Sequence, residues 1–177
     1  MAQEFDILIL GGGSAGYSAA IRARQLGFTV GLIEKEKVGG TCLHTGCIPT
    51  KAYLHAAELA EEAREASKVG VNAVLQSIEM GKVRDYKDGI VSGKFKGLAG
   101  LLKMKGVEVI PGEGKLTAQD TITVGGVEYK GKNIILASGS VSKTFGLPIE
   151  GRVLTSTEAL EICLLYTSPS PRDRTRS

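Results

Sequence analysis

A glycine-rich run wedged between two apolar segments constrains the fold of this chain more than any other feature. Phe5-Asp6-Ile7-Leu8-Ile9-Leu10 is a short apolar run suited to a strand buried on both faces of a parallel sheet. Gly11-Gly12-Gly13-Ser14-Ala15-Gly16 follows, then an Ala-rich stretch predicted to be helical to about Leu26, with Gly27 as its stop. Thr29-Val30-Gly31-Leu32-Ile33 predicts a second strand that closes with Glu34, completing one βαβ unit.

The spacing Gly11-x-Gly13-x-x-Gly16 has a mechanical meaning at this strand–helix junction. It permits the tight turn, lets backbone approach a pyrophosphate, and allows helix and strand to touch. The helix N-terminal amides then face the phosphates. Glu34, 23 residues after Gly11 at the end of the second strand, can accept both hydroxyls of a ribose. An acid there argues against a 2′-phosphate and so against NADP. On these residues alone FAD and NAD both stay open, and a glycine turn with no ligand is the bland alternative.

Two thiols lie just downstream, in Gly39-Gly40-Thr41-Cys42-Leu43-His44-Thr45-Gly46-Cys47-Ile48-Pro49-Thr50-Lys51. Placed beside a nucleotide site, Cys42 and Cys47 suggest a disulfide that trades electrons with a bound cofactor. The alternatives are a zinc half-site and two unrelated buried thiols. Zinc needs further ligands, and His44 and His55, the only histidines, give no usual four-ligand spacing, so no metal site is expected. Pro49 at a first-turn position opens a helix expected to run to about Ser67. Its N-terminal partial charge favours a thiolate at Cys47, and Lys51 adds positive charge one turn inside. Both histidines read as polar surface or packing residues.

Residues 38–46 read as a loop. Residues 83–103 carry apolar side chains near helical spacing despite internal glycines, and Val107-Glu108-Val109-Ile110 predicts a third strand of the sheet. Lys115-Leu116-Thr117, Thr121-Ile122-Thr123-Val124 and Val127-Glu128-Tyr129-Lys130 form an expected antiparallel meander, the last two runs flanking the hairpin signal Gly125-Gly126. Asn133-Ile134-Ile135-Leu136-Ala137 predicts a final buried strand ending at Ser138-Gly139-Ser140. The expected fold class is α/β: a parallel βαβ sheet with a small antiparallel β-meander inserted before its last strand.

Residues 163–177 break this pattern, ending in a Ser/Pro/Arg cluster with no useful period. Cys163 to Asp173 back-translates into a sequence that resembles the transposase adapter used in sequencing libraries. We read the tail as a translated adapter fused to a truncated gene, the alternative being a natural disordered basic tail, and this removes Cys163 from consideration. The domain is therefore expected to span residues 1–162. The tail also carries most of the formal charge of +3, so nothing points to nucleic acid. No apolar run approaches the roughly 18 residues of a membrane span. Gln3-Glu4-Phe5-Asp6 leads into the first strand without a secretory h-region, so the cytoplasm is the expected compartment.

The glycine loop, Glu34-Lys35, residues 39–51, Ala137-Ser138-Gly139-Ser140 and Leu154-Thr155-Ser156-Thr157-Glu158-Ala159-Leu160 together resemble the flavoprotein disulfide reductases. The resemblance covers about residues 4–162 and is most like the dihydrolipoamide dehydrogenase branch. Leu43, Ile48 and Thr50 look more like that branch than the glutathione or mercuric reductase branches, which tend to Val at the first two. His44 stands where Asn is usual, and Ser138 where Thr is commoner.

The resemblance implies an incomplete, Rossmann-like FAD-binding domain with FAD at the glycine loop. Glu34 would hold the adenosine ribose, with Lys35 adjacent. Gly40 and Thr41 would meet the pyrophosphate side, Lys51 would lie near the flavin's reactive nitrogen, and Gly114 would contact adenine through its backbone. Ala137, Ser138, Gly139 and Ser140 would close over the cofactor. Cys42 would be the interchange thiol that attacks substrate, and Cys47 the thiol facing the flavin in a charge-transfer pair. Dihydrolipoamide, carried on a lipoyl domain of a 2-oxo acid dehydrogenase or glycine cleavage complex, would reduce the disulfide, with NAD⁺ the final acceptor. Family members continue into an NAD domain and an interface domain and act as homodimers, so this fragment is not expected to turn over alone. A non-catalytic nucleotide-binding module is the alternative from a different class.

Overall fold

Apolar strands alternating with an Ala-rich helix can bury both sheet faces only by lying parallel, and the chain does this. The computed structural model describes residues 3–151 and 153–161. Strand β1 (Gln3–Leu10) is central, flanked in parallel by β2 (Val30–Glu34) and by β6 (Val127–Leu136). Leu8 pairs with Gly31 on one side and Ile134 on the other. Outside β2 lies the parallel strand β3 (Glu108–Pro111); outside β6 lie the antiparallel strands β5 (Thr121–Val124) and β4 (Gly114–Ala118). The order is β3-β2-β1-β6-β5-β4.

Helix α1 (Ser14–Gln25) joins β1 to β2 and ends before Gly27, whose φ of 89° reverses the chain. On its side of the sheet, Ala20 and Ala23 pack with Ile9, Val30, Leu32 and Leu102. Leu102 comes from α4 (Met80–Met104), the long helix predicted over 83–103. The other face is closed by the meander: Ile122 and Val124 pack on Phe5, Leu8, Ile33 and Ile110. Leu8, Ile9, Leu32 and Ile33 are fully buried, each worth about 1.5–3 kcal/mol of hydrophobic stabilisation.

Two expectations are corrected. The antiparallel meander is present, but its third run and the last strand, expected as two, are one: Val127 to Leu136 is continuous, pairing with β1 along its length and with β5 at its start. At Gly131, between the two expected runs, β6 lies close against β1. A β-carbon there would lie 2.6 Å from that of Leu8. Residues 38–46, expected as loop, contain a one-turn helix, α2 (Gly40–His44). Gly39 (φ 116°) and Gly40 (φ 58°) swing the chain into it.

Helix α3 (Cys47–Glu65) then begins after only Thr45 and Gly46, and a 3-10 turn covers residues 66–69. Among the described residues no helix is long and apolar enough to cross a membrane. The expected foreign tail, 163–177, lies outside the described residues.

Candidate redox and dinucleotide site

The site is assembled at the C-terminal ends of β1 and β2, where the glycine loop is locked from three sides. Gly11 (φ 106°) donates its amide to the Ile33 carbonyl at 2.8 Å. Any side chain on it would run into the backbone of Ala137 and Ser138. Gly16 presses on the Gly11 carbonyl so closely that a β-carbon would overlap it. Gly13 caps α1 with no side-chain hydrogen bond, and no acidic residue occupies the first helical turn. Those amides are thus available to an anion.

Glu34 is half-buried and does more than the sequence predicts. One carboxylate oxygen accepts the Gly12 amide at 2.7 Å, and the other accepts the Glu36 amide at 2.9 Å. Each oxygen keeps a second lone pair for a ribose hydroxyl. The carboxylate therefore builds the loop as well as offering itself to a ligand. A cleft of about 400 Å3 opens beside it, walled by Lys37, Val38, Phe95, Lys103 and Pro111. Lys35 is exposed, its ammonium 3.8 Å from the Glu36 carboxylate. An uncapped helix end, a bare loop and an acceptor carboxylate together fit a dinucleotide.

The thiol-bearing segment docks on this loop through backbone. The Gly39 amide donates to the Gly12 carbonyl at 2.8 Å. Gly40 lies against Gly13, where a β-carbon would come within 2.6 Å of the Gly13 Cα. This places Gly40 and Thr41 beside the expected pyrophosphate position. Gly114, the first residue of β4, leans on Leu10 and Ile33 at the same ends of the strands. Ala137 donates its amide to the Leu10 carbonyl at 2.8 Å, and Ser138 touches Gly11. Gly139 and Ser140 are exposed, with open space around Gly139, so only the first half of that expected lid reaches the loop.

Cys42 sits on α2 and Cys47 is the first residue of α3; both thiols are free, Cys42 half-buried and Cys47 exposed. The two face each other. The Cys42 thiol is pushed above its ordinary value, first by its hydrogen bond to Cys47, then by desolvation and by negative charge on Cys47. The Cys47 backbone N–H and the Lys51 ammonium pull the other way. The first amide of α3 thus points at the Cys42 sulfur. Lys51 lies one turn along α3, near enough for its charge to be felt. Pro49, at the third helical position, costs no hydrogen bond, since first-turn amides have no helical acceptor.

Sequence reasoning gave His44 no partner and passed over Lys87 and Tyr53. The His44 Nε2 bonds the Val38 carbonyl at 2.9 Å, and its ring meets Phe95 edge-on at 5.6 Å. Lys87 is almost fully buried on α4, with its ammonium 3.0 Å from both Asp88 and Glu161. Tyr53, on α3, donates its hydroxyl to the Leu160 carbonyl at 3.0 Å. Lys87 carried a signal, a charge on the apolar face of a predicted helix. His55 stacks loosely on Tyr86 at 6.2 Å and stands apart from the thiols. Among the described residues no cluster of His, Cys, Asp and Glu could hold a metal.

Comparison with known proteins agrees with this geometry. Residues 5–166 match the family described as pyridine nucleotide-disulphide oxidoreductase. Among similar curated proteins, a dihydrolipoyl dehydrogenase of Bacillus subtilis is 42% identical, aligned over 92% of this chain and 37% of its own length. One from Acholeplasma laidlawii is 39% identical over 92% of this chain and 50% of its own. One from Pseudomonas aeruginosa is 42% identical over 88% and 35%. The chain thus spans between about a third and a half of the relatives it matches.

Proposed function

The chain belongs to the pyridine nucleotide-disulphide oxidoreductase family, and from that premise we propose that it is the FAD- and thiol-bearing part of a dihydrolipoamide:NAD⁺ oxidoreductase. The observation that carries the reading is the docking of the Cys42–Cys47 segment directly on the glycine loop, Gly40 against Gly13. A redox pair in contact with a dinucleotide site is what electron exchange between thiols and a cofactor requires.

The chemistry on this chain's residues is thiol–disulfide exchange. With Cys42–Cys47 oxidised, one thiolate of dihydrolipoamide attacks the Cys42 sulfur, forming a mixed disulfide and releasing Cys47 as thiolate. The second substrate thiol then attacks its own bridged sulfur, closing lipoamide and releasing Cys42, which takes up a proton. Two electrons have moved from substrate to the protein pair. Lys51 keeps positive charge beside the thiolate so formed. When bound, FAD supplies a two-electron acceptor that can hand hydride to NAD⁺. Gly11, Gly13 and Gly16 would hold its pyrophosphate against the α1 amides, Glu34 its ribose, with Lys35, Gly114 and Ala137, Ser138, Gly139 and Ser140 around it.

The same reading assigns the remaining sequence of the full-length enzyme the NAD site and the dimer interface, a lipoyl domain as partner, and the cytoplasm as compartment. It also treats residues 163–177 as foreign, which resequencing the source gene would check. The full-length product tests the substrate class. Turnover with dihydrolipoamide should far exceed turnover of glutathione disulfide or mercuric ion; the reverse order would move the chain to another branch. A Cys47→Ser enzyme with unchanged activity would instead leave a nucleotide-binding module with structural thiols.

A further inference from the structure

We propose that His44 is a positioning residue for the thiol pair: it fastens the one-turn helix carrying Cys42 to the loop after β2 and to α4, and thereby sets how readily Cys42 and Cys47 close into a disulfide. The inference rests on reading those cysteines as a redox couple.

A helix of five residues cannot hold itself, because nucleation costs more than one or two internal bonds return. Helix α2 is therefore shaped by what grips it. Its start is held by the Gly39–Gly12 hydrogen bond and the Gly40–Gly13 contact. Its middle is held by buried Leu43, which covers Gly39. At its end the side-chain grip is His44, whose Nε2–H donates to the Val38 carbonyl at 2.9 Å while the ring edge rests on Phe95. Phe95 is itself fixed on α4, with the Lys37 ammonium over its ring at 5.9 Å. Cys42 lies two residues before His44 on this single turn, so freedom at His44 becomes freedom at Cys42.

A disulfide tolerates little of that freedom, since the Cα atoms must stay within about 4.4–6.8 Å and the Cβ vectors must converge. Loosening α2 lowers the effective concentration of one thiol at the other, and the disulfide loses ground to the dithiol. Neither ring nitrogen of His44 needs to touch a sulfur for this.

The test equilibrates the 177-residue chain, carrying Cys163→Ser, with mixtures of reduced and oxidised dithiothreitol, and reads the Cys42–Cys47 disulfide by alkylation and peptide mass spectrometry. His44→Ala should lower the disulfide-forming equilibrium constant about tenfold, which raises the potential by about 30 mV. His44→Gln, which places an amide N–H at similar reach, should recover most of it. Phe95→Leu should shift it the same way by less, and His55→Ala should leave it in place. A folded His44→Ala chain with the parent constant overturns the inference. If His44→Ala does not fold, Phe95→Leu decides, and an unshifted constant there overturns it. A parent chain that forms no Cys42–Cys47 disulfide overturns the redox reading, and this inference with it.

Discussion

The carboxylate of Glu34 accepts the backbone amide of Gly12 at 2.7 Å, across 22 residues of sequence. Gly12 is buried, so without this acceptor its N–H would have no protein partner among the described residues. Glu34→Ala should therefore cost about 1–3 kcal/mol of stability in urea denaturation. Glu34→Gln, which keeps an acceptor oxygen, should cost less. FAD affinity, read by flavin fluorescence titration, should fall in the same order. Equal stability for the alanine variant and the parent would show that the loop does not depend on this acid.

Gly16 and Gly93 give opposite forecasts for the same substitution. A β-carbon at Gly16 overlaps the Gly11 carbonyl, whereas at Gly93, on the exposed face of α4, it meets nothing within 4 Å. Gly16→Ala should force α1 off the loop and destabilise by about 1–3 kcal/mol or more. Gly93→Ala should stabilise by about 1 kcal/mol through helix propensity. Denaturant midpoints of the two variants should lie on either side of the parent.

The Leu160 carbonyl accepts both the Tyr53 hydroxyl, at 3.0 Å, and the Lys87 ammonium, at 3.3 Å, tying residues 153–161 across α3 and α4. Burial pushes the Lys87 ammonium down, but hydrogen bonds and charge from Asp88 and Glu161 outweigh it and hold the group above its ordinary value. A raised lysine contributes stability that is fully present below its ordinary value and is lost as pH rises through the folded one. Lys87→Met should remove that alkaline loss. It should also speed hydrogen exchange at the Ala159, Leu160 and Glu161 amides at neutral pH, more than Tyr53→Phe does. Unchanged exchange in both variants would contradict the fastening.

Asp6 marks the other end of the sheet. Its carboxylate takes the Lys132 ammonium, and the amide and hydroxyl of Thr29, each at 2.8 Å. The Lys132 hydrogen bond first, then those from Thr29, hold the group well below the usual carboxylate range. Its stabilising contribution is complete above the ordinary value of 3.8 and is lost as pH falls below that. Asp6→Asn should be less stable than the parent at pH 7, with the gap narrowing by pH 3 in paired urea titrations. A constant gap would mean that the carboxylate charge is not involved.

The parts of this fold that announce themselves in the sequence are those whose physics is local. Apolar runs such as Ile7-Leu8-Ile9-Leu10 and Val30-Gly31-Leu32-Ile33 declare buried parallel strands, and Gly11, Gly13 and Gly16 declare the turn. Helix α2 stayed hidden because five residues are too few to show a period. The continuity of β6 stayed hidden because a glycine such as Gly131 either breaks a strand or admits a neighbour, and only the position of Leu8 decides which. Glu34 was expected at the ribose, but its bond to Gly12 depends on how the loop folds back. His44 and Tyr53 act through carbonyls at Val38 and Leu160, and backbone acceptors leave no trace in side-chain patterns. Lys87 was legible in principle: it falls in step with Val83, Val91, Leu98 and Leu102 on the inward face of α4, where a charge needs partners.

The account stands on sulfur and flavin sharing one site. Its most direct test is the absorbance of the FAD-loaded, full-length protein reduced anaerobically with one equivalent of dihydrolipoamide. A broad long-wavelength band, absent from the Cys47→Ser protein, is the expected result. An ordinary flavin spectrum with no such band, while Cys42 and Cys47 are shown to be reduced, would contradict it.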